Sequence, residues 1–349
     1  MNLHLLIPAL FWPDTSQKEI YHDLSVPSLE VLLSKSTLTT NPPQDIDSWL
    51  CQTFNIAQQQ SHWPIAPITL NSDNPSLLKN NQDFWMRADP VHLRIEHNHI
   101  MLADSRAFHL SAEEAKQITQ DLNKHFCNDD LIFLPLHPDR WYIRAPHTPE
   151  MFTYTLNQVT CNNINNFLPA GKDSAIWHRI FNEIQMILHE HPINQAREAR
   201  GELIINSVWF WGGGKMPVSA QSPYTHIYSN NELSRALALS SKAQQHYAEL
   251  PVGAAIWQAT NTSGNHLIVL DALLGKSKYK DAYGWRENLR IMEKDWFLPL
   301  LTALKEGTID HLTITALNEY SSQQDFTITR SNLWKFWLAA KPFPSFAVI

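Results

Sequence analysis

Short unbroken apolar runs alternate along this chain with segments whose apolar residues recur every three or four positions. Leu3 to Leu10 is one such run and predicts a strand buried on both faces of a parallel sheet. Val26-Pro27-Ser28 then opens a helix: Pro27 suits a first turn, and Leu29, Leu32 and Leu33 form the apolar stripe. A second helix is expected from Asp47 or Ser48, carrying Trp49, Leu50 and Phe54. The proline-rich stretch Trp63 to Pro67 reads as a connector.

The texture changes at Asp83. Phe84 to Ile95 and Ile100 to Leu102 predict a hairpin turned at His97-Asn98. Ser111 caps a helix to about Phe126, with Glu114 at the capping-box position. Leu131 to Leu136 and Trp141 to Arg144 are two further strands around His137-Pro138-Asp139-Arg140. After Asp173 strands and helices alternate again. Ala175 to His189 is an amphipathic helix, Ile204 to Trp211 a strand, Glu232 to Glu249 mostly helix, and Leu267 to Leu270 a strand. A long helix from Trp285 to Lys305 and a strand from Leu312 to Ala316 follow, then an edge strand at Phe326 to Ile328. The last helix, Asn332 to Leu338, has aromatic residues on more than one face, which favours burial; an exposed aromatic patch there would instead mark an interaction module. This order predicts an α/β protein with a mostly parallel sheet, formed by residues 1–70 and 166–349, and an inserted α+β domain at 71–165.

Composition narrows the function classes. The chain has 349 residues, 44% hydrophobic, with thirteen tryptophans, enough for a large packed core. A net charge of −7 gives no electrostatic case for nucleic acid or an anionic membrane. The first ten residues are apolar but lack a basic leader and a cleavage site, and the run is too short to span a bilayer. Cys51, Cys127 and Cys161 form no CxxC pair, so no zinc site or disulfide framework is indicated and a cytoplasmic location is expected.

Candidate chemistry gathers at His191-Pro192-Ile193-Asn194, Arg197, Arg200-Gly201, Asn206 and Trp209-Phe210-Trp211-Gly212-Gly213-Gly214. Three of the ten glycines stand here in a row, behind two tryptophans. A triple glycine reads either as a tight turn after a buried strand or as a place where the backbone approaches a ligand. In Trp85 to Arg94, Arg87 and Asp89 share one strand face while His92 and Arg94 take the other. The arginines could grip a phosphate or carboxylate, or Arg87 and Asp89 could simply pair and fix the hairpin. His137-Pro138-Asp139-Arg140 is a polar turn that can be functional or only a turn. The seventeen histidines include no HExxH pair, and no GxSxG, Walker A or GxGxxG motif is present.

HPINQAREARG followed by INSVWFWGGG resembles a segment of the archaeal-type, cofactor-independent phosphoglycerate mutases: His-Pro-x-Asn, an Arg-rich turn with Gly, then Asn-x-x-Trp-x-Trp-Gly-x-Gly. WMRADPVHLRIEHNHIMLAD with SAEEAKQITQDLN resembles the same family's strand-hairpin-helix insert more loosely. Over essentially the whole chain the sequence resembles bacterial regulatory proteins of the RpfE type, divergent relatives of the mutases in the alkaline-phosphatase superfamily. The resemblance implies a three-layer α/β/α sandwich with a smaller inserted domain. It also implies a two-metal phosphoryl-transfer site with a nucleophilic serine, from which this sequence departs. Past the first strand it reads Ile7-Pro8-Ala9-Leu10 where the family has an aspartate. The late strand reads Ile268-Val269-Leu270-Asp271-Ala272-Leu273, leaving Asp271 alone of a His- and Asp-bearing motif. Leu317-Asn318 replaces an Asp-His pair, no histidine follows His311, and no serine motif is recognisable between Ser36 and Leu70.

The expectation is therefore a mutase-like protein with no metal, no cofactor and no catalytic residues, serving in ligand binding or regulation. Its candidate ligand residues are Arg87, His92, Arg94, Asn194, Arg197, Asn206, Trp209, Gly212, Gly213 and Gly214, and its partner a small anion or another protein. The alternatives are a metal-dependent mutase or phosphatase using a relocated site, and a protein-interaction module.

Overall fold

A computed structural model describes every residue except 15, 61, 79–82, 97, 242–244, 261–262, 320, 336 and 348–349. The chain divides into two compact units: residues 1–54 with 221–349, and residues 55–220.

The first unit is built on a seven-stranded sheet. Its order is His246–Ala248, His226–Tyr228, Asn265–Val269, Asn2–Pro8, His311–Leu317, Gln323–Thr329, Thr37–Asn41. The first five strands are parallel; Gln323–Thr329 runs antiparallel to both of its neighbours. Helices cover both faces, which explains why Leu5, Leu6 and Ile7 are all fully buried in succession. Leu3, Leu5 and Ile7 pack into one cluster with Leu29 and Leu32 of helix Pro27–Lys35 and Trp285 and Leu289 of helix Ala282–Met292. On the other face His4 meets the edge of Trp49 from helix Ile46–Thr53, with ring centroids 5.3 Å apart. This is the expected three-layer α/β/α arrangement with a mostly parallel sheet.

The second unit carries a five-stranded antiparallel sheet. The 13-residue strand Phe84–Glu96 is its spine, pairing with His99–Ala103, Arg140–Ala145 and Ser207–Gly214, and Ile132–His137 extends the sheet beyond Arg140–Ala145. Helix Ala112–His125 begins with the expected reciprocal capping box between Ser111 and Glu114. Helix Ser174–His189 sets Trp177 edge-on against Phe210 and Phe181 edge-on against Trp209.

Several expectations need correction. The inserted unit is longer than 71–165, because Ser207–Gly214 pairs with Phe84–Glu96 and carries the helices packed on it into the same unit. Trp63 to Pro67 is no plain connector: helix Ile65–Asp73 starts within it, and Pro67 is tolerated in a first turn whose N–H groups have no intrahelical acceptor. The cap of the second helix is Asp45, which accepts from the Ser48 N–H at 2.8 Å, and not Asp47 or Ser48. The helix from Glu232 ends at Ser240, and His246–Ala248 forms a sheet-edge strand instead. Gln323–Thr329 lies inside the sheet, leaving Thr37–Asn41 as that edge. The terminal aromatic helix is only the short turn Arg330–Leu333, and Trp334 and Trp337 are 74% and 68% exposed rather than buried; Phe336 lies outside the described residues, as does His97 of the hairpin turn. Where Trp285 to Lys305 was expected to be one helix, Glu293–Phe297 adopts a π-helical turn between Ala282–Met292 and Leu298–Glu306.

One feature of the parallel sheet carries a pH dependence. His4 lies between the Tyr224 hydroxyl (2.6 Å from Nδ1) and the Thr315 hydroxyl (2.7 Å from Nε2). Burial lowers its pKa to about 4, against an opposing pull from the Asp325 carboxylate. The unfolded chain, with an ordinary histidine pKa near 6.5, then binds a proton that the folded chain refuses. The stability His4 contributes is complete above that ordinary value and is lost as pH falls towards about 4, on the order of 3 kcal/mol in all. Urea unfolding of the His4→Gln variant should show a shallower loss of stability between these pH values than wild type; an identical slope contradicts the assignment.

Candidate functional site

The Trp/Gly segment is strand throughout. Expected as a turn behind a strand ending at Trp211, the three glycines are instead the last residues of Ser207–Gly214, and the whole strand is buried. Gly212 takes φ +63°, in the left-handed region, and the pairing with Phe84–Glu96 shifts register between Trp85 and Arg87. A glycine at positive φ in a shifted ladder is a β-bulge, which bends the strand. Gly213 and Gly214 are required for space: a Cβ on Gly213 would lie 2.8 Å from Met86 and Phe84, and one on Gly214 would lie 2.6 Å from Pro64. The close neighbours of these glycines are protein atoms.

Beside the bulge, Arg87 and Asp89 form a buried bidentate pair, with Nε to Oδ1 at 3.0 Å and Nη2 to Oδ2 at 2.8 Å. The Asp89 carboxylate also accepts from the Trp141 backbone N–H at 3.1 Å and the Trp211 indole N–H at 2.7 Å. The guanidinium lies over the Tyr142 and Trp211 rings, 5.5 and 5.0 Å from their centroids. Burial pushes the Tyr142 phenol well above its ordinary value, although the Arg87 cation opposes this. Of the two open readings of Arg87, the ion pair that fixes the hairpin is the one present.

The other candidates are engaged in the same way. His92 Nδ1 lies 2.9 Å from the Ile204 carbonyl, and the exposed Arg94 pairs with Glu96. The Asn194 amide donates to the Leu188 and Ile205 carbonyls, both at 2.7 Å, and accepts from the Ile205 N–H at 2.9 Å. Asn206 mimics a strand neighbour, accepting from Leu93 N–H at 2.7 Å and donating to its carbonyl at 2.8 Å. Trp209 donates to the Tyr154 carbonyl at 3.0 Å. Arg197 holds the Leu203 and His109 carbonyls at 2.7 and 2.8 Å and the Glu114 carboxylate at 3.2 and 3.3 Å. Arg87, Asp89, Trp209 and the glycines thus belong to one sheet, and Asn194 and Arg197 staple helix Pro192–Ala199 to its surroundings.

Among the described residues, two of the recesses on this unit are lined by charged side chains. One, of about 720 Å³, lies between the capped start of helix Ala112–His125 and the turn after Ala199, where Arg197 and Arg200 face Glu113, Glu114 and Glu202. Its arginines are paired: Arg197 holds Glu114 at 3.2 Å, and Arg200 holds Glu114 at 2.9 Å and Glu202 at 2.8 Å. Burial pushes the Glu114 carboxyl up, but Ser111 and Arg197 outweigh it and hold the group below its ordinary value. The other, about 440 Å³, lies where Phe84 begins its strand and Ala145 and Gly214 end theirs, and is lined by Asp83, Asp130, Arg144, His147, Thr148 and Lys215 among others. No sequence motif marks Arg144 or Lys215 as a site residue. Lys215 follows the glycines directly, a signal that was available, whereas its convergence with Arg144 depends on strand pairing.

In the first unit, the shared C-terminal edge of the parallel strands is where an open α/β sheet places its ligands. The strand Asn2–Pro8 is followed there by Ala9, at φ +57°, whose carbonyl accepts from the Trp285 indole at 2.9 Å. Asn265–Val269 leads into Leu270 and Asp271, the N-cap position of helix Ala272–Lys278. His311–Leu317 leads into Asn318 and Glu319, and Glu319 is ion-paired with Lys278, both largely buried. Among the described residues, no group of three or more His, Cys, Asp or Glu side chains is placed to hold a metal ion, and no helix is long and apolar enough to cross a membrane.

Residues 78–194, about a third of the chain and wholly within the second unit, match the family model of the 2,3-bisphosphoglycerate-independent phosphoglycerate mutases. The mutase of Methanosarcina mazei is 28% identical over 156 residues, covering 43% of this chain and 39% of that protein. The mutase of Methanosarcina barkeri is 29% identical over 136 residues, covering 38% of this chain and 33% of that protein. The chain thus matches well under half the length of these relatives. The PH0037 protein of Pyrococcus horikoshii has a similar fold, with a TM-score of 0.53 at 12% identity, over 94% of this chain and 87% of that one. Over residues 78–194 the chain is thus similar to the cofactor-independent phosphoglycerate mutases, and that likeness lies in the second unit, outside the parallel sheet.

Proposed function

We propose that this protein is a phosphoglycerate mutase-like pseudoenzyme: it retains the mutase framework, performs no phosphoryl transfer, and acts by binding a small anionic ligand or a regulatory partner. This is the role suggested by its resemblance to bacterial regulatory proteins of the RpfE type. The observation that carries the reading is the chemistry at the ends of the parallel strands. A pair of divalent cations needs several carboxylate and imidazole donors converging within about 2–2.6 Å of each ion. Ala9 and Leu10 offer none, Asn318 offers an amide, and Glu319 faces the Lys278 ammonium. Among the described residues no three His, Cys, Asp or Glu side chains converge as a dimetal donor set, so the residues present do not fit the metals that the family resemblance implies, and no catalytic step is routed through them.

Purified protein is expected to contain no stoichiometric metal by elemental analysis. It should also show no interconversion of 3- and 2-phosphoglycerate above background when manganese is added. Manganese-dependent turnover would overturn the reading in favour of a mutase or phosphatase with a relocated site.

A further inference from the structure

We propose that the recess at the common end of the strands Phe84–Glu96, Arg140–Ala145 and Ser207–Gly214 binds a small molecule with a phosphate or carboxylate at one end and an ammonium or hydroxyl donor at the other. This rests on the ligand-binding half of the proposed function and names the site and the ligand chemistry. The recess is lined by two cations, Arg144 and Lys215, two carboxylates, Asp83 and Asp130, and the polar His147 and Thr148. Among the described residues, none of these six side chains has an ion-pair or hydrogen-bond partner. Charges of both signs therefore face one space without neutralising each other. That contrasts with the larger recess, where Arg197 and Arg200 are already bound to glutamates.

The backbone fixes where the cations start. Arg144 is held in its strand between Trp85 and Ile132, and Gly214 pairs with Trp85 from the other side. Arg144 and the end of the glycine strand therefore stand two strand spacings apart, roughly 10 Å, within convergent reach of two long side chains. Lys215 is clamped by the Gln59 amide, which accepts from its N–H at 2.9 Å and donates to its carbonyl at 2.8 Å. Only a glycine at 214 lets that segment lie against Pro64. A site mounted on strand ends in this way needs little reordering to bind. The guanidinium and ammonium supply charge-assisted bonds to an anion, and the aspartates accept from a donor tail. The two carboxylates disfavour a bare anion, so the complete ligand is preferred.

The test is calorimetric titration of the whole protein, in low salt with chelator, using phosphoethanolamine, inorganic phosphate and ethanolamine as probes. Phosphoethanolamine is expected to bind at least tenfold more tightly than either fragment. Arg144→Gln with Lys215→Gln should weaken it at least tenfold, with the thermal unfolding midpoint unchanged. Asp83→Asn with Asp130→Asn should remove the preference over phosphate without weakening phosphate itself. No binding by wild type, or binding that the Arg144 and Lys215 changes leave intact, overturns this site. Manganese-dependent mutase turnover would overturn the non-catalytic reading separately, and would be seen in the doubly substituted protein as well.

Discussion

Arg87→Met is expected to destabilise the inserted unit by about 3–5 kcal/mol, the cost of leaving one partner of a buried ion pair uncompensated. The side chains of Arg87 and Asp89 are 4% and 1% exposed, so water cannot take the place of the missing guanidinium. Methionine conserves much of the volume between the Tyr142 and Trp211 rings, which keeps a cavity from being the main effect. What it cannot supply is the pair of parallel N–H donors that hold both carboxylate oxygens. Urea unfolding followed by circular dichroism measures the loss.

The double variant Arg87→Met with Asp89→Leu discriminates further. If the pair were isolated, replacing both partners by apolar groups would restore much of the stability. Asp89 also accepts from the Trp141 backbone N–H and the Trp211 indole, and removing it orphans two buried donors at about 1–3 kcal/mol each. The double variant is therefore expected to stay well below wild type. Full recovery would show that the tryptophan hydrogen bonds contribute nothing.

The same network shows what was legible in the sequence. Burial on both faces of Leu3 to Leu10, the capping box at Ser111 and the pairing of Arg87 with Asp89 are local relations, set by spacing two or three residues long, and they can be read directly. The domain boundary was misplaced because it depends on a pairing between residues 85–91 and 207–214 that no local pattern encodes. The triple glycine in the sequence fits either a tight turn or backbone made open for a ligand. Packing decides otherwise, because Met86, Phe84, Ile65 and Pro64 occupy the space where side chains would stand. Asn194 and Asn206 look like ligand groups in a linear motif, but each amide satisfies backbone groups that the ladder leaves unpaired. Conversely, Arg144 and Lys215 lie 71 positions apart in sequence and carry no motif. Only the antiparallel neighbours of Phe84 and Trp85 bring them to one recess.

Arg197→Met and Arg200→Ala provide a second comparison, because both arginines bind the same carboxylate. Arg200 reaches Glu114 at 2.9 Å from a position where 48% of its side chain is exposed, whereas Arg197 reaches it at 3.2 Å with only 1% exposed. Distance alone ranks Arg200 as the stronger partner; burial reverses the order. Arg200→Ala is expected to leave the unfolding midpoint close to that of wild type, as for other exposed pairs. Arg197→Met strands the Leu203 and His109 carbonyls as well as leaving the half-buried face of Glu114 without its inner cation. Its expected cost is about 3–5 kcal/mol. Glu114 closes the capping box of helix Ala112–His125, so the loss should also fray that helix first, visible as faster amide exchange over its opening turn. Equal effects of the two substitutions would mean that Arg197 acts as an ordinary surface ion pair and that the carbonyl contacts around it do not hold the turn after Ala199 in place.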